Sequence, residues 1–269
     1  MIYLKEPKLT ADNYYSIGMN KKYFSASQVK SFMDCPARTM AELNGEWEPP
    51  QSDALLIGSY VDAAFEGNAA FIRFKNEHPE IINSRTGELK ADFRKADQMV
   101  KRAKSDPMFM EFMRGRKQAI RTATLFGVPF KAKFDVLRNN CTKGERRIVD
   151  LKTVRDFRPV YKEGQGLLNF AEAWNWPLQM ALYQKIEGHD LPCYLAVITK
   201  EDPPDLAVIQ IEQERMDTEM QYLAEKMEYF KAIKSGIVEP ERCERCAYCR
   251  ATKKIVRPLT LGEIEMEAM

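Results

Sequence analysis

The sequence predicts an α/β fold in which a central mixed β-sheet is flanked by helices and follows an N-terminal helical region. Runs of alternating apolar and polar residues predict adjacent strands at 118–126 and 129–138. Apolar residues at helical spacing before and after these strands predict helices that cover a sheet. Apolar residues make up 45% of the 269, which is enough for a substantial core. We therefore expect one large domain, 1–269.

The N-terminal part, 1–115, is predicted to be mainly helical. Ser25 followed by Gln28 favours a capping box, and the helix that it opens is expected to end near Gly45. A second helix is expected from about residue 53 to the glycine at 67. One face of that helix carries Gly58, Asp62 and Glu66, which recur every four residues.

The segment 116–212 is predicted to be the sheet core. After the first two strands, a third is expected at 146–153, and two more at 194–199 and 206–211. A loop rich in glycine and charge, 156–170, leads to a helix from about Trp174 to Glu187. The last part, 213–269, is expected to contain a long helix, 213–235, and a cysteine cluster.

Two of the predicted strands carry acidic residues and a lysine on polar faces. Asp135 alternates with apolar residues in one strand, and Asp150 and Lys152 share one face of the next. Carboxylate oxygens are the ligands that Mg²⁺ prefers, and the Leu151 carbonyl can add another oxygen. Lys152 can stabilise developing negative charge or orient a water molecule. Asp62 from the earlier helix is a candidate third carboxylate. These residues favour metal-dependent cleavage of a phosphodiester.

The helix after the third strand carries Gln179 and Tyr183 on one face, four residues apart. In a hydrolase of phosphodiesters, these side chains can contribute to the site. The alternative for Tyr183 is an ordinary buried core residue.

Positive charge is concentrated around these candidates. The net charge is only +2, but 114–162 contains 14 Lys and Arg against four Asp and Glu. Local fields attract a polyanion more than the total charge does, so we expect DNA contacts from Lys131, Lys133 and Arg155. The alternative is an uneven solvated surface. No stretch of the sequence predicts a membrane span or an apolar signal core, so a cytoplasmic location is expected.

Three cysteines near the C-terminus have two consecutive C-x-x-C spacings, and Cys35 is the candidate for a fourth ligand. The cluster comprises Cys35, Cys243, Cys246 and Cys249. Four thiolates bind iron–sulfur clusters or zinc. A third alternative is free thiols in a surface loop.

The order of these motifs resembles the PD-(D/E)XK nuclease superfamily, and specifically its RecB-like branch. The similarity runs from about 23 to 250 and includes Asp135, then Asp150 with Lys152, then Gln179 with Tyr183. Asp62 stands where the branch usually has a metal-binding histidine after a glycine, here Gly58. The chain is most similar to phage RecE-type exonucleases. The resemblance implies a restriction-endonuclease-like core.

The resemblance also implies a function. It implies a Mg²⁺- or Mn²⁺-dependent exonuclease that resects ends of double-stranded DNA in a phage or prophage setting, in the bacterial cytoplasm. A single-strand annealing protein and a homo-oligomer are implied partners. The cysteine arrangement is similar to the iron–sulfur nucleases of the AddB and CRISPR spacer-acquisition types, which implies a structural [4Fe–4S] cluster, with Zn²⁺ as the alternative. Two other functions stay open: a non-catalytic DNA-binding or assembly module, and a nuclease subunit that works with a separate helicase.

Overall fold

A computed structural model describes residues 8–50, 52–142, 145–258 and 260–262. Seven strands occur in these residues: β1 (Arg116–Leu125), β2 (Val128–Arg138), β3 (Arg147–Val154), β4 (Val160–Lys162), β5 (Gly166–Leu168), β6 (Cys193–Thr199) and β7 (Leu206–Ile211). Five of them form a central sheet in the order β1-β2-β3-β6-β7. The sheet is mixed because β3 and β6 are parallel, whereas the other neighbouring pairs are antiparallel.

Helices precede, interrupt and follow the strands. They are α1 (Ile17–Lys22), α2 (Ala26–Asp34), α3 (Pro36–Asn44), α4 (Asp53–Glu66), α5 (Asn68–Glu77), α6 (Ala91–Lys104), α7 (Pro107–Phe112), α8 (Phe170–Ala173), α9 (Trp176–Glu187), α10 (Gln213–Lys234) and α11 (Ala247–Ala251). No helix among the described residues is long and apolar enough to cross a membrane. The expected mixed sheet with flanking helices is confirmed.

The sheet is covered on both faces, so it has two hydrophobic cores. One core packs the sheet against α2, α9 and α10, with Phe32, Leu182 and Phe230 buried in it. The other packs the sheet against α4, α6 and α7, with Val61, Met99 and Phe109 buried. Burial of apolar area on both faces is the main stabilising contribution for such a layered fold.

The strands β2 and β3 separate in the middle of the sheet. They pair only over 136–138 against 147–149. Asp135 and Asp150 are the next residues on each strand, beyond the last pair. There the Asp135 carboxylate accepts a hydrogen bond from the Leu151 N–H (2.9 Å), in place of a backbone partner on β2. The separation leaves a gap between β2 and β3 beside the Asp135 and Asp150 carboxylates. On its other edge, β3 remains paired with β6.

Two local predictions differ from the structure. The single helix expected to end near Gly45 is two helices, α2 and α3, which meet at Cys35. Pro36 disfavours a helical conformation at the preceding residue, and Cys35 is extended (φ −162°, ψ 98°). The predicted loop 156–170 contains a short antiparallel hairpin, β4–β5, because the glycines at its turn adopt positive φ angles.

Candidate active site and cysteine cluster

The helix α4 and the gap between β2 and β3 place three carboxylates in one cleft. Asp62, Asp135 and Asp150 line it, and its volume is about 670 Å³. Gly58 faces Thr153 of β3, so α4 lies against β3 one turn before Asp62. The structure therefore brings together acidic residues that are up to 88 positions apart in the sequence.

The carboxylates in the cleft are poorly compensated. Burial, followed by the charge of Asp150, raises the pKa of Asp135 to about 7. Burial and the charge of Asp135 also raise the pKa of Asp62 well above its ordinary value. Asp150 Oδ2 is buried without a hydrogen-bond donor of good geometry, although its ion pair with Lys152 Nζ measures 2.5 Å. This excess of buried negative charge fits a hard divalent cation.

Lys152 extends from β3 on the same face as Asp150. Burial lowers the Lys152 pKa, but the attraction of Asp150 and Asp135 exceeds that effect and raises it above the ordinary value. The lysine is therefore held as an ammonium ion beside the carboxylates. Its Nζ also lies 5.6 Å from the centre of the Trp176 ring, which favours the charged form.

The helix α9 supplies Gln179 and Tyr183 to the floor of the cleft. The Gln179 side-chain amide donates to Asp150 Oδ1 (2.9 Å) and to the Tyr183 hydroxyl (3.3 Å). The hydroxyl donates to the Lys133 carbonyl (3.3 Å), while the Tyr183 ring packs edge-on against Phe134 (4.9 Å). Gln179 thus fixes the Asp150 carboxylate, and Tyr183 connects α9 to β2.

Sequence reasoning did not identify Lys30 as a site residue. Lys30 Nζ, from α2, donates to Gln179 Oε1 (2.9 Å) and so continues the chain of contacts to Asp150. Burial and the neighbouring Lys152 lower the pKa of Lys30 to about 8. The sequence indicated only that Lys30 lies in the helix that begins after Ser25. A helix position does not indicate a contact with a residue 149 positions away.

The sequence matches the family described as "PDDEXK-like domain of unknown function (DUF3799)" over residues 25–252. The chain belongs to this family and to the PD-(D/E)XK nuclease superfamily. A solved crystal structure from Eubacterium rectale, named "Putative exonuclease", is 35% identical to the chain, with a TM-score of 0.89. That match covers 96% of this chain and 98% of the other. No curated protein matches the chain. The expected superfamily is confirmed, and the RecE-like branch stays a prediction.

The three lysine and arginine residues expected to contact DNA lie in different environments. Lys131 is fully buried, and its ammonium donates to the Tyr14 carbonyl and to Asn20 Oδ1 (2.7 Å). It is therefore not a surface contact for DNA, and that expectation is corrected. The Lys131 N–H donates to the Phe24 carbonyl (2.8 Å), and the N-terminal segment covers the Lys131 side chain. Lys133 lines the carboxylate cleft with its Nζ 4.6 Å from the Tyr15 ring centre.

Arg155 is exposed and lies in a second cleft, of about 740 Å³, which we call the basic groove. Ser59 and Asp62 line both clefts, so the two meet at α4. The side chains that give the basic groove its positive charge and aromatic area are Lys30, Arg155, Lys162, Lys200, Trp174 and Trp176. Three acidic residues, Asp34, Asp62 and Asp156, also line it, and Asp156 pairs with Arg155 (2.9 Å).

Part of the basic segment 114–162 serves a structural role away from both clefts. Arg114, Arg138 and Arg147 all pair with Glu111, at 2.9, 2.5 and 3.1 Å. Glu111, together with Glu145 on Arg138 (3.0 Å), thus compensates part of their charge within the protein. The field around the site depends on fewer cations than the sequence count indicates.

The four cysteines converge at a second location. Cys35 lies between α2 and α3, whereas Cys243, Cys246 and Cys249 lie just before or within α11. All four sulfur atoms lie within 4.8 Å of one another. In the part of the chain that the structure describes, only this set brings three or more Cys, His, Asp or Glu ligand atoms so close. The predicted convergence of Cys35 with the C-terminal cysteines is what the structure shows.

Proposed function

We propose that this protein is a metal-dependent exodeoxyribonuclease that degrades double-stranded DNA from its ends. The observation that carries the proposal is the separation of β2 and β3, which leaves Asp135 and Asp150 lining the cleft beside Lys152. Membership of the PD-(D/E)XK superfamily supports nuclease chemistry at these residues. The name of the Eubacterium rectale protein supports action as an exonuclease.

Asp62, Asp135, Asp150 and the Leu151 carbonyl are the proposed ligands of Mg²⁺ or Mn²⁺. The metal would neutralise phosphate charge and lower the pKa of a water molecule for attack. Aspartate in place of histidine at 62 makes the ligand set all oxygen, which suits Mg²⁺ more than softer metals. The raised pKa values of Asp62 and Asp135 support this assignment, because a dication would stabilise their ionised forms.

The other side chains of the site orient the carboxylates and stabilise charge. Lys152 places an ammonium next to Asp150, where it stabilises the negative charge that develops on the phosphate during hydrolysis. Gln179 holds Asp150 Oδ1, whereas Asp150 Oδ2 faces the Lys152 ammonium (2.5 Å). Lys30 fixes the Gln179 amide so that its nitrogen, and not its oxygen, points to Asp150.

The basic groove is the proposed path of the DNA strand to the carboxylates. Trp174 is 50% exposed and lies under Lys162, with Nζ 4.2 Å from the ring centre. An exposed indole can stack on a base, while neighbouring cations bind phosphates. The groove meets the carboxylate cleft at Asp62, so a strand that lies in the groove reaches the proposed metal site. Arg155 and Lys133 are the proposed DNA contacts on the two sides.

The biological setting is proposed on the RecE-like resemblance. A phage or prophage exonuclease in the bacterial cytoplasm would resect DNA ends for a single-strand annealing protein. Ring-shaped homo-oligomers would increase processivity in such an enzyme. The test is co-purification of the chain with an annealing protein of the same genome, together with its mass in solution.

The activity itself is tested with end-labelled duplexes, blunt and overhanging, and with a covalently closed circle. We expect release of short products from linear DNA in Mg²⁺ or Mn²⁺, none in EDTA, and an intact circle. DNA binding without cleavage in either metal would instead support the non-catalytic module. Cleavage that requires ATP and a second protein would support the helicase-associated subunit. Cleavage of the circle would contradict exonuclease action.

A further inference from the structure

The four cysteine sulfur atoms form a compact group. Cys35 Sγ lies 3.6 Å from Cys249 Sγ and 3.8 Å from Cys246 Sγ, and Cys243 Sγ lies 3.9 Å from Cys249 Sγ. Cys35 and Cys249 are fully buried, and the other two are partly buried. None of the four is in a disulfide. The spacing between these sulfur atoms discriminates between the metal centres that four thiolates bind.

We propose that the four thiolates bind one zinc ion in a closed, tetrahedral, structural site. With zinc–sulfur bonds of about 2.3 Å, the sulfur atoms of a tetrahedral site are about 3.8 Å apart. In a four-iron cluster the thiolates extend outward from the iron atoms, so they lie about 6 Å apart. The observed separations agree with the single ion. They favour zinc over the iron–sulfur cluster that the sequence resemblance implies.

Backbone groups around the cysteines also fit a mononuclear thiolate site. N–H groups donate to three of the sulfur atoms: Arg38 to Cys35 (3.4 Å), Cys246 to Cys243 (3.3 Å) and Cys249 to Cys246 (3.4 Å). Each of these donors lies three residues after its acceptor, and for Cys243 and Cys246 this is the local turn that a C-x-x-C spacing permits. Hydrogen bonds of this kind stabilise metal-bound thiolates and fix their orientation.

The charge around the cluster is suited to the same ion. Four thiolates and one Zn²⁺ carry a net charge of −2, which requires compensation in a partly buried site. Arg242 donates to the Cys249 carbonyl (2.6 Å) and lies 5.7 Å from the Tyr248 ring centre, so its guanidinium is adjacent to the cysteines. It also pairs with Glu244 (2.7 Å), so it compensates part of that charge. With four protein ligands the zinc has no open coordination position, so it is structural and not catalytic.

The site cross-links the two ends of the described chain. Cys35 ends α2 and begins α3, and the Ala37 N–H donates to the carbonyl of Glu241 (3.0 Å), close to the other cysteines. Trp47 also packs edge-on against Tyr248 (5.5 Å). Because Lys30 lies on α2, zinc would hold the helix that presents Lys30 to Gln179. This inference concerns folding and does not depend on the proposed nuclease activity.

The test is the metal content of the purified wild-type chain, measured with and without air. We expect one zinc per chain, no acid-labile sulfide and no colour, and a cobalt-substituted protein with the ligand-field absorption of a four-thiolate site. A brown protein with iron and acid-labile sulfide overturns the proposal. So does a protein with one iron and no sulfide, or one with no bound metal after purification without chelators.

Variants locate the zinc. Cys243→Ser and Cys246→Ser should lose the metal, whereas the control Cys141→Ser, outside the cluster, should retain one zinc per chain. Asp135→Asn with Asp150→Asn should also retain it, which excludes the carboxylate cleft as its site. Zinc that is retained by both cluster variants but lost from the carboxylate variant overturns the proposal. If the cluster variants do not fold, thiol modification of the wild-type chain should release one zinc, and no release counts against the assignment.

Discussion

The carboxylate cleft and the cysteine cluster each bring together residues that are distant in the sequence, but they differ in how closely the ligand atoms approach. In the cluster all four sulfur atoms approach within 4.8 Å, and two of the four residues are fully buried. In the cleft two of the three carboxylates have separate partners: Asp135 accepts from the Leu151 N–H, and Asp150 contacts Gln179 and Lys152. A closed ligand set suits a structural ion, whereas a spread, charged set needs the substrate phosphate and water to complete it.

The difference predicts that the two sites respond in opposite directions when a ligand is removed. A carboxylate that stabilises a reaction is a source of electrostatic strain before metal and substrate bind. A thiolate that contributes to a closed metal site stabilises the folded chain directly. Substitutions in the cleft should therefore affect activity and spare stability, and substitutions in the cluster should do the reverse.

The largest effect is expected from Asp150→Asn. The variant keeps the shape of the side chain but loses the charge that we propose binds the metal, so the rate of DNA degradation should fall by about 10³-fold or more. The melting temperature without metal should change little, because the loss of repulsion from Asp62 and Asp135 offsets the loss of the ion pair between Asp150 and Lys152. Measured together, activity and melting temperature test the comparison. A variant that unfolds, or that retains wild-type activity, contradicts it.

The next effect is expected from Cys249→Ser, which removes a fully buried sulfur from the cluster. Loss of a structural metal should cost several kcal/mol, so the melting temperature should fall by on the order of 10 °C. Cys141→Ser is the matched control and should change it little. Calorimetry in the presence and absence of a chelator provides the measurement. If the chelated wild-type chain melts at the same temperature as the untreated one, the cluster has no metal-dependent role in stability.

A smaller effect is expected at Lys30, and it should depend on pH. The Lys30 pKa of about 8 means that its charge is lost as the pH rises through that value. If the ammonium supports DNA degradation, the charged fraction and the rate should fall about fourfold between pH 7 and pH 8.5. Lys30→Arg keeps its charge in this pH range. The ratio of the wild-type rate to the variant rate should therefore fall as the pH rises from 7 to 8.5. A ratio that is constant with pH would show that the charge of Lys30 has no role.

The stability effect of Lys30 has the opposite sign. Its folded pKa lies below the ordinary value of 10.5, so the folded chain holds the charged form at a cost. That cost is present below about pH 8 and is relieved as the pH rises from there towards 10.5. The wild-type chain should therefore gain stability relative to Lys30→Met over that interval, in urea unfolding experiments at each pH. A relative loss of stability would contradict the lowered pKa.

Most of the sheet and the carboxylates were predictable because their signals are local. The alternation of Phe130, Ala132 and Phe134 with charged residues fixes one strand, and the observed β2 begins and ends within one residue of the prediction. Asp150 and Lys152 lie on one face for the same reason. Such periodicity indicates which face of a strand is polar, but it does not indicate which other segment of the chain packs over that face.

The failures concern contacts between distant segments. Lys131 has the same spacing as Lys133, yet the N-terminal segment buries only Lys131. Lys30 contacts Gln179 because α2 packs on α9, and no spacing within α2 indicates that neighbour. The interruption at Pro36 was readable, since proline disfavours helix at the residue before it, but the apolar periodicity across it favoured one helix.

The smallest effect is expected on DNA binding, and it distinguishes Lys162 of the basic groove from the buried Lys131. Lys162→Ala removes a cation from the basic groove, so DNA binding should weaken about two- to fivefold. The slope of log affinity against log salt concentration should fall by about one, which corresponds to one lost phosphate contact. Lys131→Met removes a buried cation, so DNA affinity and its salt dependence should stay unchanged. Titrations of labelled duplex at several salt concentrations in Ca²⁺, which slows cleavage, measure both. Equal losses in the two variants would show that the groove is not the DNA path, and that the positive charge acts through the field of the whole segment.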